Sequence, residues 1–286
     1  MEIALTCAQS AGIPATLHVV ANAHPVGTEG LHEWNGHRDW VEVFVFDNWF
    51  VVPGSATGGY VRLTIRPFDA VAWYWASLIG VGDHPLVTVL ADDLPMPTGR
   101  SLELRAPGIW TETTVLRPFE HLTSDLEAFG VAIQDPTAVW DGAYGDRIAV
   151  GLELDWDTEG EPGPSPVIGT TGYRLVGGFH GEVLLGSSKW ELSGVGVRDH
   201  WWGVPDDVST WRAWASRDGE FINSDGGRLD TSTGLDVNGI VESLPEGDIY
   251  PGLRVAGWAP AGGAGRRHAR ALLVDDRGGG WFEIVR

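Results

Sequence analysis

The stretch Arg147-Ile-Ala-Val-Gly-Leu-Glu-Leu-Asp-Trp-Asp157 has the clearest strand pattern in the chain. Its apolar side chains are Ile148, Val150, Leu152, Leu154 and Trp156, and they alternate with the polar Arg147, Glu153, Asp155 and Asp157. Because successive side chains of a β-strand point to opposite faces, this alternation predicts a strand with one face in a core and the other in water.

The same period of two recurs along most of the chain. In 40–45, Val41, Val43 and Val45 point one way, while Glu42 and Phe44 point the other. Further strands are predicted at 59–65, 71–77, 86–91, 101–105, 111–116, 173–176, 181–185, 190–193, 211–216, 252–258, 269–274 and 281–285. Helical spacing is scarce, and short helices are predicted only at 119–129 and 135–144. The sequence therefore predicts an all-β fold of antiparallel strands with few short helices.

The composition indicates a folded, acidic protein. The 286 residues are 43% hydrophobic and 20% charged, which is enough apolar surface for a core. A formal net charge of −20 opposes binding to phosphate backbones and anionic lipid, so neither nucleic acid nor a membrane surface is an expected partner. No apolar run approaches the ~20 residues of a membrane span, and no basic segment precedes an apolar one at the start, which predicts a cytoplasmic protein. A single cysteine, Cys7, excludes an intramolecular disulfide.

Tryptophan is unusually frequent, with fifteen residues in the chain. Its large, rigid side chain joins an apolar body to one N–H donor. In a sheet protein such an excess is typical of an aromatic-lined cavity, and it is equally typical of platforms on which sugars stack. The count therefore leaves a hydrophobic ligand and a carbohydrate both open.

One stretch has the composition of a linker. Residues 158–168 include Thr158-Glu-Gly-Glu-Pro-Gly-Pro-Ser-Pro166, which is polar and rich in proline and glycine. It divides the chain into an N-terminal β-barrel or sandwich, 1–157, and a C-terminal β-barrel, 169–286. A barrel of about eight strands can hold one small ligand, so either half could carry a binding site.

The densest cluster of polar and aromatic residues is Gly194-Val-Gly-Val-Arg-Asp-His-Trp-Trp-Gly203. On an extended backbone Asp199 and Trp201 share one face, whereas Arg198, His200 and Trp202 share the other. A carboxylic acid or an imidazole beside indole rings can donate a proton in a dry pocket, because burial raises the pKa of a carboxyl group. The indole faces could then stabilise a carbocation. The alternative interpretation is a structural corner, in which Arg198 and Asp199 form an ion pair.

This cluster and the run Tyr173-Arg-Leu-Val-Gly-Gly-Phe-His-Gly-Glu-Val183 resemble the carotenoid 1,2-hydratase (hydroxyneurosporene synthase) and AttH-like superfamily. The resemblance covers about 173–214. It implies two lipocalin-like, calycin-type barrels packed together, with the Asp-His-x-Trp segment at the cavity, and the hydration, dehydration or cyclisation of isoprenoid alkenes. Asp199, His200 and Trp202 match the motif, and Asp225 is a loose counterpart of the hydratase's second acidic residue.

Together the motif and the resemblance predict a cofactor-independent acid/base enzyme for a hydrophobic isoprenoid or polyene-like molecule. Asp199 or His200 is predicted to move the proton, and Arg198 to fix Asp199. The predicted substrate-binding residues are Trp201, Trp202, Trp211, Trp214, Tyr173, Trp73, Trp75 and Asp225.

Two other functions remain open, namely a non-catalytic carrier of a hydrophobic molecule and a carbohydrate-binding β protein. No cofactor and no metal ion are expected. His32 and His37 have the wrong spacing for the zinc-binding helix motif, and Asn35-Gly36 between them predicts a turn.

Overall fold

The computed structural model describes residues 29–52, 55–97, 102–134, 145–158, 161–165, 167, 169–205, 211–217, 220–225, 254–261, 266–275 and 278–285. In these ranges the chain is all-β, as predicted, and contains no helix. The strands are β1 (Val41–Val52), β2 (Ser55–Arg66), β3 (Val71–Val81), β4 (His84–Pro95), β5 (Leu104–Ala106), β6 (Ile109–Arg117), β7 (His121–Ile133), β8 (Asp146–Thr158), β9 (Gly163–Pro164), β10 (Thr170–Leu185), β11 (Ser188–Gly203), β12 (Trp211–Arg217), β13 (Glu220–Asp225), β14 (Arg254–Ala261), β15 (Arg266–Asp275) and β16 (Gly278–Val285).

The first eleven strands form one antiparallel sheet. Its order is β4-β3-β2-β1-β11-β10-β8-β7-β6-β5, and β9 pairs with β10. A further pairing joins β4 to β7, with Leu86 opposite Ile133. The hydrogen bonding therefore runs in a closed ring through β1, β2, β3, β4, β7, β8, β10 and β11.

The ring encloses the largest apolar core of the described residues. The inward side chains of β8 are the apolar ones predicted from its alternation: Val150, Leu152, Leu154 and Trp156 are buried. Glu153 and Asp157, on the opposite face, are exposed. Phe44 and Phe46 of β1 belong to the same core. Removing this apolar surface from water is the main favourable contribution to folding.

The helix predicted at 119–129 is wrong. Residues 121–133 form β7, and Leu122, Ser124 and Leu126 are buried on one face of that strand. The helical signal came from the spacing of Leu122, Leu126 and Phe129, but Phe129 is exposed and lies 4.0 Å under the guanidinium of Arg147. The helix predicted at 135–144 lies outside the described residues.

The predicted linker does not separate two sheets. β8, before it, pairs directly with β10, after it, with Phe179 opposite Trp156. Within the linker, Gly163–Pro164 form β9, which pairs with β10. The second sheet has the order β13-β12-β16-β15-β14. The change from one sheet to the other falls between β11 and β12. Across the described ranges there is no helix long and apolar enough to cross a bilayer.

A row of carboxylates crosses the outer face of the first sheet. Asp125 lies opposite both Glu112 and Glu153, and Glu153 lies opposite Glu182. Burial, with the negative charges of Glu153 and Glu112, raises the pKa of Asp125. A raised carboxyl pKa means that the ionised form destabilises the fold, and that this cost disappears as the pH falls through the pKa.

We therefore expect Asp125→Asn to raise the free energy of unfolding at pH 7, by about 0.2–1 kcal/mol, because it removes a like charge directly across the strands. The urea midpoint measures this. Asp93→Asn, on an exposed position of β4, is the control for the general effect of reducing the net charge. A gain no larger than that of Asp93→Asn would contradict the prediction.

Candidate functional site

Three neighbouring strands carry the site. β11 lies between β1 and β10, and His200 is opposite Phe44 on one side and Tyr173 on the other. These three side chains point into the ring. The His200 and Phe44 rings stack at 3.9 Å between centroids. The inward position of His200 follows from the alternation predicted for 194–203.

His200 is the centre of a buried chain of hydrogen-bonding groups. Its Nε2 lies 2.8 Å from Oε1 of Glu42, and its Nδ1 lies 3.0 Å from the hydroxyl of Tyr173. The Tyr173 hydroxyl in turn lies 2.9 Å from Oε1 of Glu29, to which it can donate. All four residues are buried. We call Glu42, His200, Tyr173 and Glu29 the proton chain.

Both ends of the proton chain are carboxylates with further donors. Arg198 Nη1 donates to Oε1 of Glu29 at 2.6 Å, and the backbone N–H of Phe119 donates to its Oε2 at 2.7 Å. At the other end, the backbone N–H of His32 donates to both carboxylate oxygens of Glu42, at 3.0 and 3.1 Å. His32 Nδ1 lies 2.8 Å from Oε1 of the same carboxylate. These contacts fix both carboxylates in position.

Burial and hydrogen bonding act in opposite directions on the pKa values of the proton chain. Burial alone would raise the pKa of Glu42, but the hydrogen bonds of His200 and His32 outweigh it and lower this pKa. Burial lowers the pKa of His200 below its ordinary value, although the Glu42 carboxylate opposes the shift. Burial and the negative charge of Glu29 raise the pKa of the Tyr173 hydroxyl.

The lowered pKa values of Glu42 and His200 predict a fold that weakens in acid. The groups facing His200 are Glu42, His32, Tyr173, Glu29 and Arg198. Below pH 6.5 the unfolded chain protonates this histidine more readily than the folded one, so stability falls with pH from that value downward. The loss due to Glu42 follows below pH 4.5.

We expect the unfolding free energy of His200→Gln to depend less steeply on pH between 6.5 and 5 than that of the unsubstituted protein. Urea unfolding at several pH values measures both slopes, which are compared instead of absolute stabilities. His37→Gln, an exposed histidine, is the control. Equal slopes for His200→Gln and the unsubstituted protein would contradict the prediction.

Asp199 lies on the opposite face of β11 from His200. Its carboxylate accepts from Nε and Nη2 of Arg174, both at 2.7 Å, and both side chains are buried. The expectation that Arg198 fixes Asp199 is therefore corrected, since Arg198 pairs with Glu29 and Arg174 pairs with Asp199. The two arginines serve different faces because residues 198 and 199 are consecutive on a strand.

The tryptophans have several different environments. Trp201 packs with Val43, Val45 and Val167, away from the proton chain. Trp202 stacks on His32 at 3.4 Å, so it positions that ring. Trp75 is buried edge-on against Tyr60, and Trp73 lies 4.5 Å under the guanidinium of Arg66.

Three predicted substrate-binding residues belong to the second sheet. Trp211 and Trp214 are in β12, and Asp225 ends β13, opposite Arg212. Their side chains lie outside the described part of the structure.

One family model matches the chain, over residues 25–217, and its description is domain of unknown function (DUF7064). The chain belongs to this family. Among curated proteins no match was found. No solved structure matches either. The DUF7064 match contains the whole proton chain and the whole first sheet.

The DUF7064 region contains a small cavity at the proton chain. Its volume is about 10 Å³, roughly the room needed for one water molecule. The residues that line it are the polar Glu29, Tyr173, Arg198, His200 and Thr113 and the apolar Phe44, Phe46, Leu102, Val115 and Leu122. Asp199 also borders it, although its carboxylate is bonded to Arg174 on the other face of β11. Tyr173, which the sequence suggested as a substrate-binding residue, lines this cavity, and the other aromatic rings of the wall are those of phenylalanines and of His200, not of tryptophans.

Three residues of the DUF7064 region could hold a metal ion. His32, Glu42 and His200 each offer one ligand atom, and the three atoms lie within 4.8 Å of one another. The same three residues make the hydrogen-bonding contacts described above, in which Glu42 lies between His32 and His200. The turn predicted at Asn35-Gly36 is present, since Gly36 has a φ of 87° and His37 N–H donates to the Asn35 side chain.

Sequence reasoning missed Glu29, Glu42, His32 and Arg174. Glu42 had a detectable signal, because it is a carboxylate on the same strand face as Phe44, with valines on the other face. An ionisable group on a strand whose two faces are both apolar is a candidate functional residue, because burial shifts its protonation equilibrium. Glu29 lies outside any strand, and no local pattern indicated it.

Proposed function

We propose that this protein is an acid/base enzyme for a hydrophobic isoprenoid or polyene-like small molecule, acting as a hydratase, dehydratase or cyclase. The observation that carries the proposal is a proton chain beside an apolar cavity wall. Enclosed groups of this kind are where proteins shift protonation equilibria for catalysis.

The number of hydrogen-bonding protons in the proton chain indicates that it can gain and lose one proton. There are three contacts: Glu42 with His200, His200 with Tyr173, and Tyr173 with Glu29. Neutral His200 supplies one N–H and Tyr173 one O–H, so two protons serve three contacts. A third proton on His200 completes all three. The proton chain can therefore take up one further proton, on His200, and release it again.

The charges favour the same exchange. Without the third proton, the one fixed positive charge that the described residues place against the carboxylates of Glu29 and Glu42 is that of Arg198. The third proton balances this cluster, whereas burial of the imidazole opposes it. Two opposing effects of this kind bring a catalytic group closer to accepting or releasing a proton during a reaction.

In the proposed hydration, doubly protonated His200 gives up one ring proton to an alkene carbon, directly or by relay through the Tyr173 hydroxyl, and becomes neutral. The π electron pair becomes the new C–H bond, and the neighbouring carbon becomes a carbocation. Water adds to this cation, and the proton that it loses returns to His200. The ring faces of Phe44 and Phe46 can stabilise the cation electrostatically. Dehydration is the reverse sequence. In cyclisation the π electrons of a second alkene of the same molecule form a C–C bond to the cation, and the new cation loses a C–H proton to neutral His200 to give an alkene.

We further propose that the ring of eight strands is a lipocalin-like barrel, in keeping with the resemblance of 173–214 to the carotenoid hydratase and AttH-like superfamily. A closed ring of about this number of strands can enclose one small ligand. Under the same proposal the second sheet belongs to a second barrel. His200 takes the catalytic role, and the ion pair with Arg174 gives Asp199 a structural one.

The test is proton transfer from solvent to carbon. The protein is incubated in D₂O with a panel of isoprenoid alkenes and alcohols, with and without a metal chelator, and deuterium in the recovered C–H bonds is measured by mass spectrometry. We expect catalysed incorporation that the chelator does not change. Saturable binding without any incorporation would establish the carrier, and binding of oligosaccharides alone would establish the carbohydrate-binding protein.

A further inference from the structure

The guanidinium of Arg198 has one donor group to spare. Its Nε donates to the Thr158 hydroxyl at 3.0 Å and its Nη1 donates to Glu29 at 2.6 Å. Its Nη2 is buried and has no hydrogen-bond partner among the described residues. The side chain is only 5% exposed. A buried charged donor without a partner costs more than an ordinary unsatisfied group, so a ligand atom that accepts from it gains correspondingly.

Arg198, which carries this donor, lines the cavity. Arg198 borders the cavity together with His200 and Tyr173 on the polar side and with Phe44 and Leu122 on the apolar side. A molecule that touches the phenylalanine rings therefore lies close to Arg198. His200 and Tyr173 of the proton chain border the same small cavity.

The surrounding charges select the kind of acceptor. Glu29 already neutralises Arg198, and the Glu42 carboxylate lies on the other side of His200. An anionic ligand would bring a further negative charge close to these carboxylates in a low-dielectric site, where like charges repel strongly. A neutral oxygen accepts from Arg198 without this repulsion.

We propose that the ligand is an apolar molecule with one neutral oxygen, an alcohol or a ketone, which accepts a hydrogen bond from Nη2 of Arg198. The inference rests on the proposed function, because it names the substrate class of the same site. It also places the reacting part of the molecule, since the oxygen at Arg198 brings the adjoining carbons next to His200.

A ligand larger than water has to displace part of the cavity wall. Leu102 is the lining side chain best placed to move, because it precedes β5 on coil and is not held by a strand ladder. The other lining aliphatic residues, Val115 and Leu122, are on hydrogen-bonded strands. Binding therefore costs a rearrangement at Leu102, and the hydrogen bond to Arg198 offsets part of that cost.

The experiment compares three matched C15 isoprenoids, an alcohol, the corresponding hydrocarbon and the corresponding carboxylate, by calorimetric titration at pH 7. We expect the alcohol to bind about 10- to 100-fold more tightly than the hydrocarbon, the range given by one hydrogen bond to a charged group. The carboxylate should bind more weakly than the alcohol. Arg198→Lys keeps the charge beside Glu29 but lacks Nη2, so its preference should fall below about threefold.

Arg174→Lys is the matched control, since it shortens a buried, carboxylate-bound arginine on the other face of the sheet and should keep the preference. Equal affinity of the unsubstituted protein for alcohol and hydrocarbon would overturn the proposal, and so would tighter binding of the carboxylate. If Arg198→Lys fails to fold, the affinities of the unsubstituted protein for the alcohol, the hydrocarbon and the carboxylate decide the proposal by themselves. Deuterium incorporation is measured in a separate experiment. Preferential binding of the alcohol without any deuterium incorporation would therefore refute the proposed enzyme activity but not the proposed ligand class.

Discussion

Asp199→Asn and Arg174→Met are each expected to lower the free energy of unfolding by about 3–5 kcal/mol. The two side chains form a bidentate ion pair at 2.7 Å, and they are 6% and 8% exposed. Either substitution removes one charge of this pair and leaves the charge of the other member buried. The desolvation cost of that charge, and not the strength of the pair itself, makes the loss large.

The double variant Arg174→Met/Asp199→Asn separates these two causes. It removes both charges, so we expect it to recover most of the stability that the single variants lose. Urea unfolding of all four proteins measures the coupling. Arg66→Met is the control, because its pair with Asp69 is partly exposed and is worth about 0–1 kcal/mol. A loss for Asp199→Asn as small as that for Arg66→Met would contradict the prediction.

This result would also correct the role that the motif suggested for Asp199. The sequence predicted that Asp199 or His200 moves the proton and that Arg198 fixes Asp199. The pairing of β10 with β11 brings Arg174 directly opposite Asp199 instead. Since neither face of β11 is open to solvent at this point, each of the two consecutive polar residues needs its own partner.

The parts of the fold that the sequence predicted are those that depend on neighbouring residues. Alternation gave β8 its correct inward face, because period two is a local property of an extended chain. It also placed Arg198 and His200 together on one face of β11. At 119–129 the helix predicted from helical spacing was wrong, because Leu122, Leu126 and Phe129 fit a helical period by coincidence.

The partners of His200 could not be predicted in the same way. Glu42 is 158 residues away along the chain, and Glu29 is 169 residues from Arg198. They meet because β1 pairs with β11 in one register, and a shift of one residue would point Glu42 to the other face. The register between β1 and β11 depends on the pairing of all the strands in the ring, so it cannot be predicted from the residue pattern of either strand alone. The position of the change between the sheets depends on the same long-range pairing.

The largest effect on chemistry is expected for His200→Gln. The glutamine amide can still hydrogen-bond to Glu42 and Tyr173, but it cannot gain or release a proton at these pH values. Turnover should therefore fall about 10²- to 10⁴-fold, the usual contribution of a general acid or base, while ligand affinity changes little. The measurement is deuterium incorporation under single-turnover conditions, together with calorimetric binding of the isoprenoid alcohol.

The pH profile distinguishes this chemical role from a structural one. Protonation of an alkene needs the third proton of the chain, so turnover of the unsubstituted protein should increase as the pH falls toward the lowered pKa of His200. His200→Gln should have a low and flat profile, and Tyr173→Phe a reduced one that still depends on pH, because it leaves His200 in contact with Glu42. Arg174→Lys, on the other face, should keep the unsubstituted profile. If His200→Gln retains the turnover rate and the pH profile of the unsubstituted protein, His200 does not transfer the proton. If His200→Gln instead loses ligand binding and stability in proportion to turnover, the proton chain is a structural network beside a carrier's cavity.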